Sequence, residues 1–134
     1  MKDGRRIFRM NYKNYRADGS GEIELLLGAK YVANVDISTC FPSMYTHSLP
    51  WALVGKDFAK KNRSSQYWFN ELDFYVRGTT NGETHGILIG PHASNVLSEI
   101  ILVCIDNELL EKGWKYIRNI DDYTCYVNSY EDAL

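Results

Sequence analysis

The sequence predicts an α+β fold, an antiparallel sheet with helices packed on one face. Three observations carry that expectation. Tyr31 to Ile37 is a nearly continuous apolar run of strand length. Trp114 to Ile120 and Tyr123 to Val127 are two more strand-like runs, joined through Asp121-Asp122 as a hairpin. Between them, Ser94 to Lys112 sets Val96, Leu97, Ile100, Ile101, Cys104, Ile105 and Leu109 at helical intervals.

In chain order, the first thirty residues are polar, basic and punctuated by glycine, with Ala17 to Gly21 as a loop. Glu22 to Leu27 is a short apolar run closed by Gly28. The continuity of Tyr31–Ile37 predicts a central strand, buried on both faces. Pro42 and Ser43 mark the passage from this strand into helix, because proline is tolerated in a first helical turn. Pro50 interrupts again, and Trp51 to Lys61 reads as a helix ending in base. Ser64 to Arg77 has helical spacing with Tyr67, Trp68, Leu72 and Tyr75 on one face, an aromatic stripe expected to be core. Gly78 to Gly82 is a turn. Gly113 is expected to close the long helix. Ser129-Tyr130-Glu131-Asp132 resembles a capping box that opens a further helix, which the chain cuts off at Leu134; a piece of a longer protein is therefore expected.

Composition narrows the classes. At 134 residues, 45% hydrophobic and 24% charged, the chain has the length and balance of one folded domain, not of a disordered segment. No apolar run is long enough for a membrane span and no signal peptide opens the chain, so no membrane partner is expected and the location is read as cytoplasmic. Cys40, Cys104 and Cys125 are widely spaced and fit reduced core residues. His47, His85 and His92 have no zinc-site spacing. The net charge of −2 argues against a freestanding basic nucleic-acid binder. Its distribution is uneven: Lys2, Arg5, Arg6, Arg9, Lys13 and Arg16 crowd the start, whereas acids dominate from residue 99 onward. That asymmetry fits metal-binding acids on one side of a site and phosphate-facing bases on the other; a solvated surface with a basic start fits as well.

The candidate chemistry lies in three aspartates. Asp36 ends the first strand, and Asp121 and Asp122 sit between the last two. An Asp-Asp pair alone is common in solvated turns. A hairpin that sets two carboxylates beside a third on a neighbouring strand is different: it makes a compact, hard oxygen-ligand site. Such a site suits a pair of Mg²⁺ ions and hence phosphoryl transfer. Between the acidic segments, Thr84 to Asn95 forms a glycine-bracketed turn opening the long helix.

In this order the three segments resemble the reverse transcriptases. Asp36-Ile37-Ser38-Thr39-Cys40-Phe41-Pro42-Ser43-Met44-Tyr45 is similar to the first palm motif of that family, an Asp followed five residues later by an aromatic. Gly86 to Asn95 is similar to the second, Gly-Ile-Pro-Ile-Gly-Pro-x-x-Ser-Asn, and Asn119-Ile120-Asp121-Asp122 to the third, Tyr-x-Asp-Asp. Tyr45-Thr46-His47-Ser48-Leu49-Pro50-Trp51-Ala52-Leu53 resembles the bacterial abortive-infection and defence-associated branch. The resemblance spans residues 31–134, which it marks as a polymerase palm cut short at its C-terminal end; residues 1–30 would be a basic remnant at the fingers–palm boundary.

The resemblance implies an RNA-directed DNA polymerase that joins dNTPs to a 3′ end, with an RNA template and a DNA primer, in phage defence. Asp36, Asp121 and Asp122 would be its catalytic carboxylates. These three and the Ile37 carbonyl would hold two Mg²⁺ ions, for which Mn²⁺ can substitute. Phe41 would lie under the sugar of the incoming nucleotide and bar a 2′-hydroxyl. Gly90, Ser94 and Asn95 would meet the template–nucleotide pair, although helix capping alone accounts for Ser94. The basic residues Arg5, Arg6, Arg9, Lys13 and Arg16 would grip triphosphate or backbone. Two positions depart from the pattern. Leu88 stands for the usual proline and restores a backbone N–H; Asn119 stands for the usual aromatic near the primer end. Two alternatives stay open, a non-catalytic nucleic-acid-binding module that keeps the palm fold and a viral RNA-dependent RNA polymerase palm.

Overall fold

The computed structural model describes residues 23–133. The basic cluster Lys2 to Arg16 and the loop Ala17 to Gly21 lie outside the described residues. Residues 23–26 are helical, and a turn through Gly28 leads into strand β1, Tyr31–Asp36. Four helices of varying length follow: α1 (Cys40–Ser43), α2 (Ser48–Val54), α3 (Lys56–Lys61) and α4 (Trp68–Gly78). The long helix α5 (His92–Glu111) precedes the hairpin of β2 (Tyr116–Asn119) and β3 (Asp122–Val127). A 3₁₀ turn, Glu131–Ala133, ends the described chain. The class is α+β, as the alternation of apolar patterns predicts. No described helix is long and apolar enough to cross a membrane.

The sheet is antiparallel throughout, in the order β1-β3-β2. Among the described residues β1 is therefore an edge strand, not the central one that its apolar continuity predicts. Tyr31, Val32 and Val35 are all exposed, while β3 buries Tyr123, Tyr126 and Val127 between its two neighbours. A run without alternation states that both faces are apolar; it does not state that both are covered.

The helices correct the sequence reading in three places. The segment read as one helix from Trp51 to Lys61 is two, because Gly55 takes φ 85° between α2 and α3. Pro50 does not interrupt α2; it sits in the first turn, where its missing N–H leaves no helical bond unmade. In α4, the face that is buried is Phe69, Asp73 and Val76, with Leu72 half-buried. Tyr67, Trp68 and Tyr75 are exposed instead of core. The predicted aromatic stripe lies about one residue out of phase with the true buried face, and only Leu72 belongs near both.

Other local signals hold. Gly113 takes φ 78° after α5, its N–H donates to the Leu110 carbonyl, and the Trp114 N–H donates to the Leu109 carbonyl. This is the paired bonding of a Schellman cap. The Asp132 N–H donates to Ser129 Oγ at 3.1 Å, the capping contact expected there.

The core joins the helices to the segments that flank the acidic sites. Cys40, Met44, Leu49, Val76, Ile87 and Leu102 form one buried cluster, with Ile37 and Phe41 packed against it. The glycine-bracketed turn docks on α1: the Gly86 N–H donates to the Met44 carbonyl and the Ile87 N–H to the Phe41 carbonyl, both at 2.9 Å. Gly86 has φ 92°, and a Cβ there would stand 3.4 Å from the Pro42 carbonyl oxygen. Both the conformation and the approach favour glycine. Gly86→Ala is expected to cost about 1–2 kcal/mol and Leu102→Ala about 2–5 kcal/mol, read as shifts of the urea unfolding midpoint.

Candidate functional site

Antiparallel pairing sets Asp36 directly opposite Asp122. The Ile37 N–H donates to the Asp121 carbonyl at 3.2 Å. That bond lies one residue beyond the pair, so Asp36 and Asp122 form a non-hydrogen-bonded pair, the kind with Cα atoms only about 4.5 Å apart and side chains on one face. Asp121 precedes Asp122 in the two-residue turn of Ile120 and Asp121. All three acids thus gather at one end of the β1–β3 ladder. They belong to segments some 85 residues apart in sequence, and it is the sheet register that unites them.

The same face carries Asn34 and Thr124, whose Oγ1 donates to Asn34 Oδ1 at 3.0 Å. Together with Asp36 and Asp122 they line a shallow depression of about 280 Å³. Asp36 and Asp122 are exposed and Asp121 is half-buried. Among the described residues no three His, Cys, Asp or Glu side chains are already assembled as a metal centre. The donor set nevertheless has the chemistry that Mg²⁺ or Mn²⁺ requires: accessible carboxylate oxygens with a backbone carbonyl nearby. The nearest soft ligand is not available. Cys40 is buried, and burial first, then the charges of Asp121 and Asp36, push its thiol above the ordinary range despite Arg118.

Arg118 holds the hairpin in place. Its guanidinium lies under the sheet with side-chain exposure of 11%. Nε donates to both oxygens of Asp106, at 3.0 and 2.9 Å, and Nη2 donates to Asp106 Oδ2 at 2.6 Å. Nη1 and Nη2 donate to Glu99 at 2.9 and 2.6 Å. Nη1 also donates to the Ile120 carbonyl at 2.9 Å, inside the turn that presents Asp121. Hydrogen bonds to Glu99, and then to Asp106, raise the Arg118 pKa further, although burial opposes them. Burial would raise the Asp106 pKa, but hydrogen bonds from Arg118 and Tyr116 overcome it and hold the carboxyl below its ordinary value. Tyr116 Oη donates to Asp106 Oδ1 at 3.0 Å. Burial, with the charge of Asp106, pushes both Tyr116 and Tyr123 up to about 12.

The other predicted site residues are placed as follows. Phe41 is half-buried in α1, on the core beside Ile37. Gly90 is exposed with φ 114° and has open space where a Cβ would go, so its glycine serves conformation and not close packing. Ser94 does not cap α5. Helix begins at His92 with Pro91 in the capping position, no side chain caps it, and Ser94 is buried one turn in. Asn95 is half-buried, and its carbonyl accepts from Ser98 Oγ at 2.9 Å. Among the described residues no hydrogen bond joins Gly90, Ser94 or Asn95 to the three aspartates.

The sequence reading missed the Arg118 network. A signal was present: Glu99 and Asp106 are seven residues apart, two turns on one face of an otherwise apolar helix. It also missed a second polar cluster, in which His47 Nδ1 meets Asp73 Oδ2 at 2.7 Å.

No known protein family matches the chain, and no curated protein matches it.

Loss of Arg118 strips Asp106 of its cation, leaving it the Tyr116 and Tyr123 hydroxyls, and takes the donor from the Ile120 carbonyl. Arg118→Met is expected to cost about 2–3 kcal/mol in urea unfolding at neutral pH. Because the Asp106 pKa is lowered on folding, its contribution is complete above the ordinary carboxylate range and disappears as pH falls below it. The variant should therefore show a flatter acid limb of stability against pH. Tyr116 and Tyr123 act at the other extreme: raised in the fold, they favour it below pH 10 and cease to do so as pH climbs towards about 12.

Proposed function

We propose that the chain is the palm segment of an RNA-directed DNA polymerase, acting on dNTPs and a nucleic-acid 3′ end with two divalent cations. The observation that supports this reading most is the register of Asp36 against Asp122, with Asp121 bound through its carbonyl to Ile37. Three carboxylates at one strand end have little structural use, since like charges directly opposite each other weaken a sheet. They make sense as ligands.

In this reading Asp36, Asp121 and Asp122, with the Ile37 carbonyl, would hold two Mg²⁺ ions. When bound, the pair would acidify a 3′-hydroxyl and offset charge on departing pyrophosphate. The chain's own residues do the positioning. The non-hydrogen-bonded pairing keeps two carboxylates on one face, and Arg118 fixes the turn that carries the third. Phe41, five residues beyond Asp36 and in α1, is the residue set to exclude a 2′-hydroxyl. The Gly86 turn seats the second motif against α1, so that the segment leading to Gly90, Ser94 and Asn95 starts from a fixed point. The Tyr45–Leu53 resemblance supports a role in phage defence.

A second reading, a non-catalytic nucleic-acid-binding module on the same fold, draws on Asn119 and on Leu88, which is exposed where the resembled pattern has a proline. Metal titration separates the two. The polymerase reading expects two Mn²⁺ ions per chain by calorimetry or paramagnetic broadening; no binding would refute it. Asp121→Asn is expected to abolish metal binding and dNTP incorporation with no loss of helical circular dichroism. Phe41→Ala should admit ribonucleotides, and an unchanged preference in a primer-extension assay would remove that role from Phe41.

A further inference from the structure

A cleft of about 440 Å³ opens between α2, α3 and α4, on residues to which the polymerase reading gives no catalytic or binding role. Lys60, Arg63 and Arg77 line it, as do His47 and Asp73 and the rings of Trp51 and Phe74. Three permanent cations face one carboxylate, so the cleft is net basic in a chain whose overall charge is negative.

The wall is built, not incidental. Asp73 is 4% exposed, in the middle of α4. Its Oδ2 accepts from His47 Nδ1–H at 2.7 Å, which orients the imidazole and leaves Nε2 as its second polar atom. Arg77 Nε stands 3.2 Å from the same oxygen, within ion-pair range but off the line of a hydrogen bond. The other oxygen, Asp73 Oδ1, is buried without a partner. An unmet buried acceptor is costly, and a ligand O–H or N–H would remove that cost.

The rim is fixed as well. Asn70 Nδ2 donates to the Asn62 and Ser64 carbonyls at 2.7 and 2.8 Å, on either side of Arg63. Lys60 Nζ lies 5.9 Å above the Trp51 ring, and the Arg77 guanidinium lies 6.0 Å from the Phe74 ring. Flat apolar walls thus alternate with cations, the arrangement that stacks a base and grips a phosphate. The volume falls within the range that holds a small organic ligand.

We infer that this cleft binds a nucleoside phosphate unit: the phosphate on Lys60, Arg63 and Arg77, the base against Phe74 or Trp51, a sugar or base donor towards Asp73. The unit comes either as a free nucleotide or as one residue of a single strand. The site is separate from the aspartate cluster and needs no divalent cation, so it stands or falls independently of the polymerase reading.

The test is a calorimetric titration of the 134-residue chain, in the presence of a chelator, with dTMP, a short oligothymidylate and inorganic phosphate. At least one of the two thymidine ligands should bind more tightly than inorganic phosphate. Equal binding of dTMP and the oligomer identifies a free nucleotide as sufficient; binding of the oligomer alone identifies a strand. Lys60→Ala with Arg63→Ala, both exposed positions, should weaken binding at least about tenfold, the loss of one good contact. Phe74→Ala, also exposed, should weaken nucleotide binding about fivefold or more and leave inorganic phosphate unaffected. Lys112→Ala with Lys115→Ala, on a distant surface, should change nothing. The inference is overturned if neither thymidine ligand binds, if inorganic phosphate binds as tightly as both, or if the Lys112 and Lys115 changes weaken binding as much as those at Lys60 and Arg63.

Discussion

A single guanidinium underlies the geometry of the acidic end of the sheet. Arg118 reaches from β2 to two carboxylates on α5 and back to a carbonyl in the adjoining turn. The hairpin has only short strands, and a two-stranded ribbon of that length is marginal on its own. Anchoring it to the longest helix gives it a fixed support. The turn residues Ile120 and Asp121 then inherit their position from α5, and β1 inherits its register from β3. Without the anchor, the meeting of Asp36 with Asp122 would depend on six pairs of an edge strand alone.

Helix α5 serves both halves of the molecule. Its Leu102 lies in the core with Met44 and Leu49, from the segment that follows Asp36, and with Ile87 of the Gly86 turn. Its Glu99 and Asp106 hold the hairpin. The strand that bears the first aspartate and the turn that bears the second are thereby tied to one rigid body. Burial does the first job and charge the second. The division is physically sensible, because an ion pair with five donors sets orientation far more tightly than apolar contact does.

Much of this was legible in the sequence, and the failures have definite causes. Periodicity located α5 to within two residues, since seven apolar positions at helical spacing leave little choice. Gly113 and Ser129 announced their caps through local chemistry that tertiary contacts had no reason to override. The hairpin around Asp121-Asp122 was equally plain. β1 was misjudged because strand position in a sheet is decided by partners, not by the strand's own composition. The α4 stripe misleads because large rings look like the buried set, whereas Phe69, Val76 and a polar Asp73 form the face that is covered. Ser94 has the residue type of a cap, but Pro91 holds the position instead. The Arg118 network and the His47–Asp73 pair join residues 12 and 26 apart, and no propensity scale encodes such a pairing.

The turn itself contains a contradiction worth following. Ile120 has φ 62°, left-handed backbone that a β-branched side chain enters only against resistance. A resting conformation of that kind costs on the order of 1–3 kcal/mol and persists where neighbouring contacts enforce it. Here the two-residue reversal between the paired Asn119 and Asp122 demands that backbone, and the Arg118 bond to the Ile120 carbonyl braces it. The acidic tip therefore rests on backbone that few side chains accept, and the same strand pairing that imposes it sets Asp121 against Ile37.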